Sequence, residues 1–321
     1  MTGSATRAQV LVAFALIYVI WGSTYLAIFF AVETLPPFLM AGVRFLVAGA
    51  LMYAWVRLDG RTSPPERVHW RGAAVVGAFL LFGGNGGVVW AEQRVPSGLA
   101  ALLVATVPLW MVLLEWAGGG RRPRLMVMVG ITIGFLGLGI LIGPSELLGG
   151  RAVDLTGATV LVLASFSWAI GSVVSRKVSM PASPLLGTAM QMLCGGALLL
   201  LLGTTTGEWA RLDLEGVSPR SWWALIYLIV FGSLVGFTAY VWLLRNVEIA
   251  KVATYAYVNP IVAVLLGWGL AGEQLSIRIG IAAVIIVTGV AFITSGRSRP
   301  SMERPETAAS TVRMMPGEPS S

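Results

Sequence analysis

Nine stretches of eighteen or more consecutive residues carry no Asp, Glu, Lys or Arg, and they follow one another along almost the whole chain. They lie between Arg7 and Glu33, Arg71 and Glu92, Arg94 and Glu115, Arg124 and Glu146, Asp154 and Arg176, Lys177 and Glu208, Arg220 and Arg245, Lys251 and Glu273, and Arg278 and Arg297. A helix needs roughly 20 apolar residues to cross the hydrocarbon core of a bilayer, so each stretch is a candidate span. A tenth segment, residues 34–56, is equally apolar apart from Arg44. Only 12% of the 321 residues are charged. A soluble domain carries about 25%, and this chain has too little polar surface to shield its apolar residues from water. Lipid must solvate most of it. Membrane barrels are built from about 10-residue alternating strands, a pattern absent from these continuous apolar runs. The sequence therefore predicts an all-α polytopic membrane protein. Its ten transmembrane helices fall near 10–30, 36–56, 72–91, 96–116, 125–143, 155–175, 184–203, 221–243, 251–271 and 279–295.

The first apolar run is too long for the roughly 7–15-residue core of a signal peptide, so it is expected to remain as helix 1. The basic residues then set the orientation. With a cytoplasmic N-terminus, sixteen Lys and Arg fall on the cytoplasmic side: Arg7, Arg57, Arg61, Arg67, Arg71, Arg121, Arg122, Arg124, Arg176, Lys177, Arg245, Lys251, Arg297, Arg299, Arg304 and Arg313. The opposite side holds five, Arg94, Arg151, Arg211, Arg220 and Arg278. Translocation disfavours basic residues in short loops, so both termini are expected in the cytoplasm. The net charge of +7 is thus a topology signal. It is not the clustered basic patch of a nucleic-acid binder. Residues 297–321, rich in Ser, Pro, Glu and Arg, read as a disordered cytoplasmic tail. Cys194, the single cysteine, reads as a small buried hydrophobe.

The two halves of the chain match each other. An offset of 147 carries Trp21 to Trp168, Pro37 to Pro184, Arg44 to Gln191, Gly49 to Gly196 and Ala50 to Ala197. An offset of 152 carries Gly84 to Gly236, Trp90 to Trp242, Pro108 to Pro260 and Trp116 to Trp268, and 150 carries Gly130 to Gly280 and Gly139 to Gly289. The offset changes only in loops, where insertions are tolerated. The repeats are expected at 10–143 and 155–295, five helices each. Five is odd, so the second half enters the membrane inverted. Inverted repeats mark secondary transporters, whose site lies near the midplane between two halves that exchange geometries.

The strings WGSTYLAI in helix 1, GVRFLVAGAL in helix 2, VPSGLAALLVATVPLW through helix 4, YAYVNPIVAVLLGW in helix 9 and GEQLSIRIG before helix 10 resemble the EamA family of the drug/metabolite transporter superfamily. The resemblance covers residues from about 10 to 295. It implies two inverted EamA repeats in a bacterial inner-membrane permease that moves metabolites, such as amino acids, or drugs. The family's acidic residue with a basic loop, represented by Glu273 after helix 9, is matched in the first half only by the earlier Glu115 and its GGGRR.

Arg44 lies eight residues into helix 2, about 12 Å deep at 1.5 Å per residue. An Arg inside a membrane is costly and faces a cavity or a partner. It reads as an anchor for a substrate carboxylate, or as a structural residue capping carbonyls or snorkelling toward Glu33 or Glu92. Its repeat counterpart, Gln191, is neutral. Asn85 sits in GGNGG, where four glycines each weaken a helix by roughly 1 kcal/mol relative to Ala. The segment either kinks and presents the amide to a cavity, or packs closely with Asn85 bridging helices. Pro108 and Pro260 bend helices 4 and 9 and free carbonyls. Tyr255, Tyr257 and Asn259 stand beside Pro260 to supply hydrogen bonds. Trp21 and Trp168, away from the interface where Trp collects, form either cavity walls or ordinary packing. Tyr25 and Tyr240 are candidates of the same kind.

Proton-coupled carriers place acids within spans. Glu33, Glu92, Glu115 and Glu273 stand near helix ends here, so facilitated diffusion or exchange, or weak coupling through Glu92 or Glu273, is expected. No metal cluster, paired intramembrane carboxylates or nucleophile motif points to an enzyme, and no cofactor is implied. The expected partners are a small-molecule solute and the lipid bilayer, with no nucleic acid. A homodimer is compatible with the sequence. The substrate expected is a carboxylate-bearing metabolite such as an amino acid, with a drug exporter as the alternative.

Overall fold

The computed structural model of the chain describes residues 6–60, 62–120, 122–142, 153–247, 252 and 254–297. The tail beyond Arg297 lies outside the described residues. Among those residues the fold is helical, without strands. The spans are α1 Arg7–Ala31, α2 Pro37–Leu58, α3 Arg67–Ala91, α4 Ser97–Ala117, α5 Leu125–Ile142, α6 Leu155–Val174, α7 Pro184–Thr205, α8 Pro219–Asn246, α9 Tyr255–Ala271 and α10 Ile277–Arg297. Seven are long and apolar enough to cross a membrane. Three shorter apolar stretches, Leu125–Leu141, Val258–Ala271 and Ile277–Ile293, complete the set of ten.

The helix starts follow local chemistry. Thr6 and Gln9 form a reciprocal capping box before α1. Asp154, Ser183 and Ser218 accept hydrogen bonds from the first turns of α6, α7 and α8. Pro37, Pro184 and Pro219 occupy first-turn positions, where a missing N–H costs nothing. The charge-free gap misses the start of α3, because the helix extends back through Arg71 to Arg67.

The packing has a pseudo-two-fold pattern. Helices α2 and α7, repeat counterparts, pack on each other, as do α5 and α10. Helix α1 packs against α8 and α9, and its counterpart α6 packs against α3 and α4. Five-helix repeats inverted relative to one another produce this exchange of neighbours. Glycine sets the closest approaches, as small residues do where membrane helices touch. A Cβ on Gly49 would meet Met192 Cβ at 2.9 Å, and one on its counterpart Gly196 would meet Leu46 N at 2.9 Å.

Two spans depart from the α-helix. Ala78–Asn85 in α3 and Leu228–Val235 in α8 are π-helical. These wide turns fall at corresponding places in the two repeats and leave carbonyls available to neighbours. Large apolar side chains such as Leu51, Leu163 and Val284 are exposed on the outer wall, whereas Arg44 and Glu92 are buried. That is the distribution a lipid-solvated bundle with a polar interior requires.

Candidate functional site

The π-helical turn of α8 and the middle of α2 meet at Arg44. Arg44 is 3% exposed, and its Nε donates to Ser233 Oγ at 3.1 Å. Its guanidinium stands 4.7 Å from the ring centre of Phe45. A Cβ on Gly232 would come within 3.2 Å of Arg44 Nη2, so the bare backbone of α8 closes around the guanidinium. Nη1 is buried with no hydrogen-bond partner among the described residues. Arg44 therefore does not snorkel. It is fixed at one nitrogen, and its Nη1 has no acceptor among the described residues.

Glu92, directly after α3, is 1% exposed, and neither carboxylate oxygen has a hydrogen-bond partner among the described residues. It lies within electrostatic reach of Arg44, Tyr25 and Glu273 and against the Phe29 backbone of α1. No hydrogen bond joins it to Arg44. The sequence places Glu92 at a helix end, where it stands, but gives no sign that α1 and α2 cover that end.

Trp21 organises an aromatic cluster. Its Nε1 donates to Gly232 O of the π-helical turn at 3.2 Å. Its ring lies 5.3 Å from Phe237, 5.1 Å from Tyr240 and 5.2 Å from Tyr255, with Tyr240 and Tyr255 edge to face at 5.8 Å. Trp21, Tyr240 and Tyr255 are legible in the sequence as candidates; Phe237 is not, although its place three residues before Tyr240 puts it on the same helix face. Tyr25, one turn along α1 from Trp21, is within electrostatic reach of both Glu92 and Tyr255.

Trp168 stands in the mirrored position, on the other half. A Cβ on Gly84 would meet its ring at 2.8 Å, as one on Gly236 would meet Trp21 Nε1 at 2.5 Å. Next to it, Ser167 Oγ donates to Phe79 O of the α3 wide turn at 2.8 Å. Each of these tryptophans thus seats on the wide turn of the opposite repeat, and the two do not join one cluster. Asn85 ends the α3 turn, and Asn259, 7% exposed, lies on α9; the Oδ1 of each is buried with no hydrogen-bond partner among the described residues. Gln191 is half-buried on α7, where its carbonyl lies against Gly77. No hydrogen bond or ring contact joins its side chain to Arg44. The side chain of Tyr257 lies outside the described residues.

Pro108 and Pro260 differ. The α-helical ladder of α4 breaks between Val104 and Val107, just before Pro108. The carbonyl of Leu103 is taken by Thr106 Oγ1 at 2.6 Å and by Ser165 Oγ of α6 at 3.3 Å. Pro260 lies inside a continuous α9.

Side chains bridge both faces of the bundle. On the face bearing Glu33, Glu273 Oε1 accepts from Ser97 N and Ser97 Oγ, each at 2.7 Å, and its Oε2 accepts from Gly98 N at 3.0 Å. Glu273 thereby caps α4, while Glu208 caps α2 through Leu39 N at 2.9 Å. Arg220 pairs with Glu33 at 3.3 Å on the same face. On the face bearing Arg7, Arg176 pairs with Glu115 at 2.7 Å, and Tyr18 OH bonds Thr254 Oγ1. Glu115 and Glu273 therefore play different parts: one makes an exposed ion pair, the other a helix cap.

An all-helical bundle of inverted repeats that buries an arginine and a glutamate between two bridged faces is the architecture of a membrane transporter. The EamA-like transporter family model matches residues 9–143 and 155–295, and the chain belongs to that family, within the drug/metabolite transporter superfamily. It is 42% identical over 283 residues, 88% of this chain and 89% of the relative, to the uncharacterized inner membrane transporter YedA of Escherichia coli strain K12. It is 22% identical to the uncharacterized transporter YoaV of Bacillus subtilis, over 91% of this chain and 98% of that one. It is also 26% identical to protein PagO of Salmonella typhimurium, over 93% of this chain and 97% of that one. A solved crystal structure shares the fold with a TM-score of 0.60 at 22% identity, covering 91% of this chain and 99% of that chain.

Proposed function

We propose that this transporter carries a small carboxylate-bearing metabolite, such as an amino acid, across the bacterial inner membrane by alternating access, with both termini in the cytoplasm. The observation that carries the proposal is Arg44, buried, oriented by Ser233, and left with Nη1 unpartnered. A buried charged donor without a partner is costly, and a substrate carboxylate would satisfy it. Glu92, a buried carboxylate within electrostatic reach of Arg44, complements the ammonium of the same solute. The inverted repeats supply two similar arrangements in which the Glu33 face and the Arg7 face open in turn. The aromatic cluster around Trp21 supports a second reading, an exporter of cationic aromatic drugs, since ring faces attract cations.

A thermal-shift screen of the purified protein against amino acids and cationic dyes separates the two, because a ligand that binds the folded form raises its stability. Amino acids are expected to stabilise the wild type. Arg44→Gln is expected to weaken that binding by roughly 10- to 100-fold, the loss of a charged hydrogen bond of about 1.5–3 kcal/mol, and to abolish transport at unchanged membrane abundance. Wild-type transport by Arg44→Gln would reject the anchoring role, and stabilisation by dyes alone would favour the exporter.

A further inference from the structure

Helix α8 packs against both α1 and α2, and on the half of the bundle toward the Arg7 face the three leave an apolar groove of about 710 Å³ in the outer wall. Val12 and Leu16 of α1 and Trp55 of α2 flank it, and Leu234, Thr238 and Trp242 of α8 form its floor. It is open toward the surrounding medium, with Val12 59% and Trp55 57% exposed. In a bilayer this medium is lipid.

The length, lining and charge of the groove specify the occupant. Along α1 it runs from Ala8 to Leu16, and along α8 from Leu234 to Trp242, eight residue steps in each case. At 1.5 Å per residue that is about 12 Å, close to the ~15 Å hydrocarbon depth of one leaflet. Its outer end carries Trp55 and Trp242, a residue type that collects at the membrane interface. Each of the three helices also places an arginine at this end: Arg7 in the first turn of α1, Arg57 in the last turn of α2 and Arg245 in the last turn of α8. Arg7 and Arg245 are exposed, and Arg57 gives its Nη1 to Thr62 O at 2.7 Å. Asp59 is the one acid among the described residues at these three helix ends. An apolar channel one leaflet long, ending in tryptophans and a positive rim, matches an acyl chain joined to an anionic headgroup.

We propose that this groove binds one anionic phospholipid, with an acyl chain between α1 and α2 and its phosphate on Arg7, Arg57 and Arg245. The buried end of the chain reaches Leu234 and Val235, one and two residues after Ser233, which orients Arg44. The lipid thereby becomes part of the wall behind the candidate site.

Native mass spectrometry of the full chain tests this. The protein is extracted in mild detergent and offered phosphatidylglycerol or phosphatidylethanolamine with identical acyl chains. One phosphatidylglycerol per chain is expected to be retained, and phosphatidylethanolamine far more weakly. The double variant Arg7→Gln/Arg245→Gln is expected to hold phosphatidylglycerol about thirtyfold less tightly, the fold-change given by about 1 kcal/mol per basic residue. Val12→Trp fills the groove from an exposed position and leaves the arginines in place, so it should release the lipid whatever its headgroup. Circular dichroism establishes that both variants are folded. Equal retention of the two lipids, unchanged affinity in the double variant, or a lipid undisturbed by Val12→Trp would each overturn the proposal.

Discussion

Arg44 donates through Nε to a single hydroxyl, Ser233 Oγ, with Nη1 buried and unshared. Ser233→Ala would strip the guanidinium of that contact too, and a buried donor left unmade costs about 1–3 kcal/mol. The variant is expected to melt on the order of 2 °C or more below the wild type, and to show a raised KM for transport, because the anchor is no longer oriented. An unchanged melting temperature and KM would mean that Ser233 is incidental. Glu92→Gln keeps the shape of a buried group and removes its charge. It is expected to raise the KM for amino acids by about tenfold or more, the loss of a charged hydrogen bond, while sparing a carboxylate solute that has no ammonium. Competition assays with matched solutes read the difference. Arg44 is legible in the sequence because one charge interrupts an apolar run. Ser233 is not, since a lone hydroxyl in LIVFGSLV carries no pattern that reveals its partner 189 positions away.

The wide turns of α3 and α8 are the elements on which Trp168 and Trp21 seat. In α3 the cluster GGNGG announces a weak helix, and a π-helical turn is the form the weakness takes. In α8 the corresponding segment is mostly Leu, Ile and Val, and only the match of Gly84 to Gly236 hints at it. Spans, their order and their inversion follow from hydropathy and parity, whereas wide turns and seats depend on contacts between distant segments. Alanine substitution separates glycines that seat a neighbour from those that do not. Gly236→Ala would place a Cβ 2.5 Å from Trp21 Nε1, so it is expected to displace the indole from Gly232 O, lower the melting temperature and cut transport severalfold. A Cβ on Gly139 of α5 would meet no atom within 4 Å among the described residues. Gly139→Ala should be neutral or stabilise by up to about 1 kcal/mol, the helix propensity gained. Melting curves of the two variants side by side check the contrast, and equal losses would remove the special role of the wide turn.

At the scale of the whole molecule, the exchange of neighbours between α1 and α6 ties function to orientation, because the two repeats can trade conformations only if they lie head to tail in the bilayer. The basic residues crowd one side, and short basic loops resist translocation, so that side is expected to face the cytoplasm. The same side carries Arg7, Arg57 and Arg245. In that orientation the proposed lipid groove would lie in the cytoplasmic leaflet, where the surface potential is negative. Cysteine mapping tests orientation and inversion together. In a Cys194→Ser background, Ser63→Cys after α2 and Ala182→Cys after α6 are both exposed, and four spans separate them. They must therefore share a face. Glu215→Cys, exposed between α7 and α8, lies one further span away and must label from the other side. A membrane-impermeant maleimide added to intact cells is expected to label Glu215→Cys alone, and in inside-out vesicles to label Ser63→Cys and Ala182→Cys. Labelling of Ser63→Cys and Ala182→Cys from opposite sides would break the inverted pairing, and with it the enclosure of Arg44 and Glu92 between two alternately opening faces.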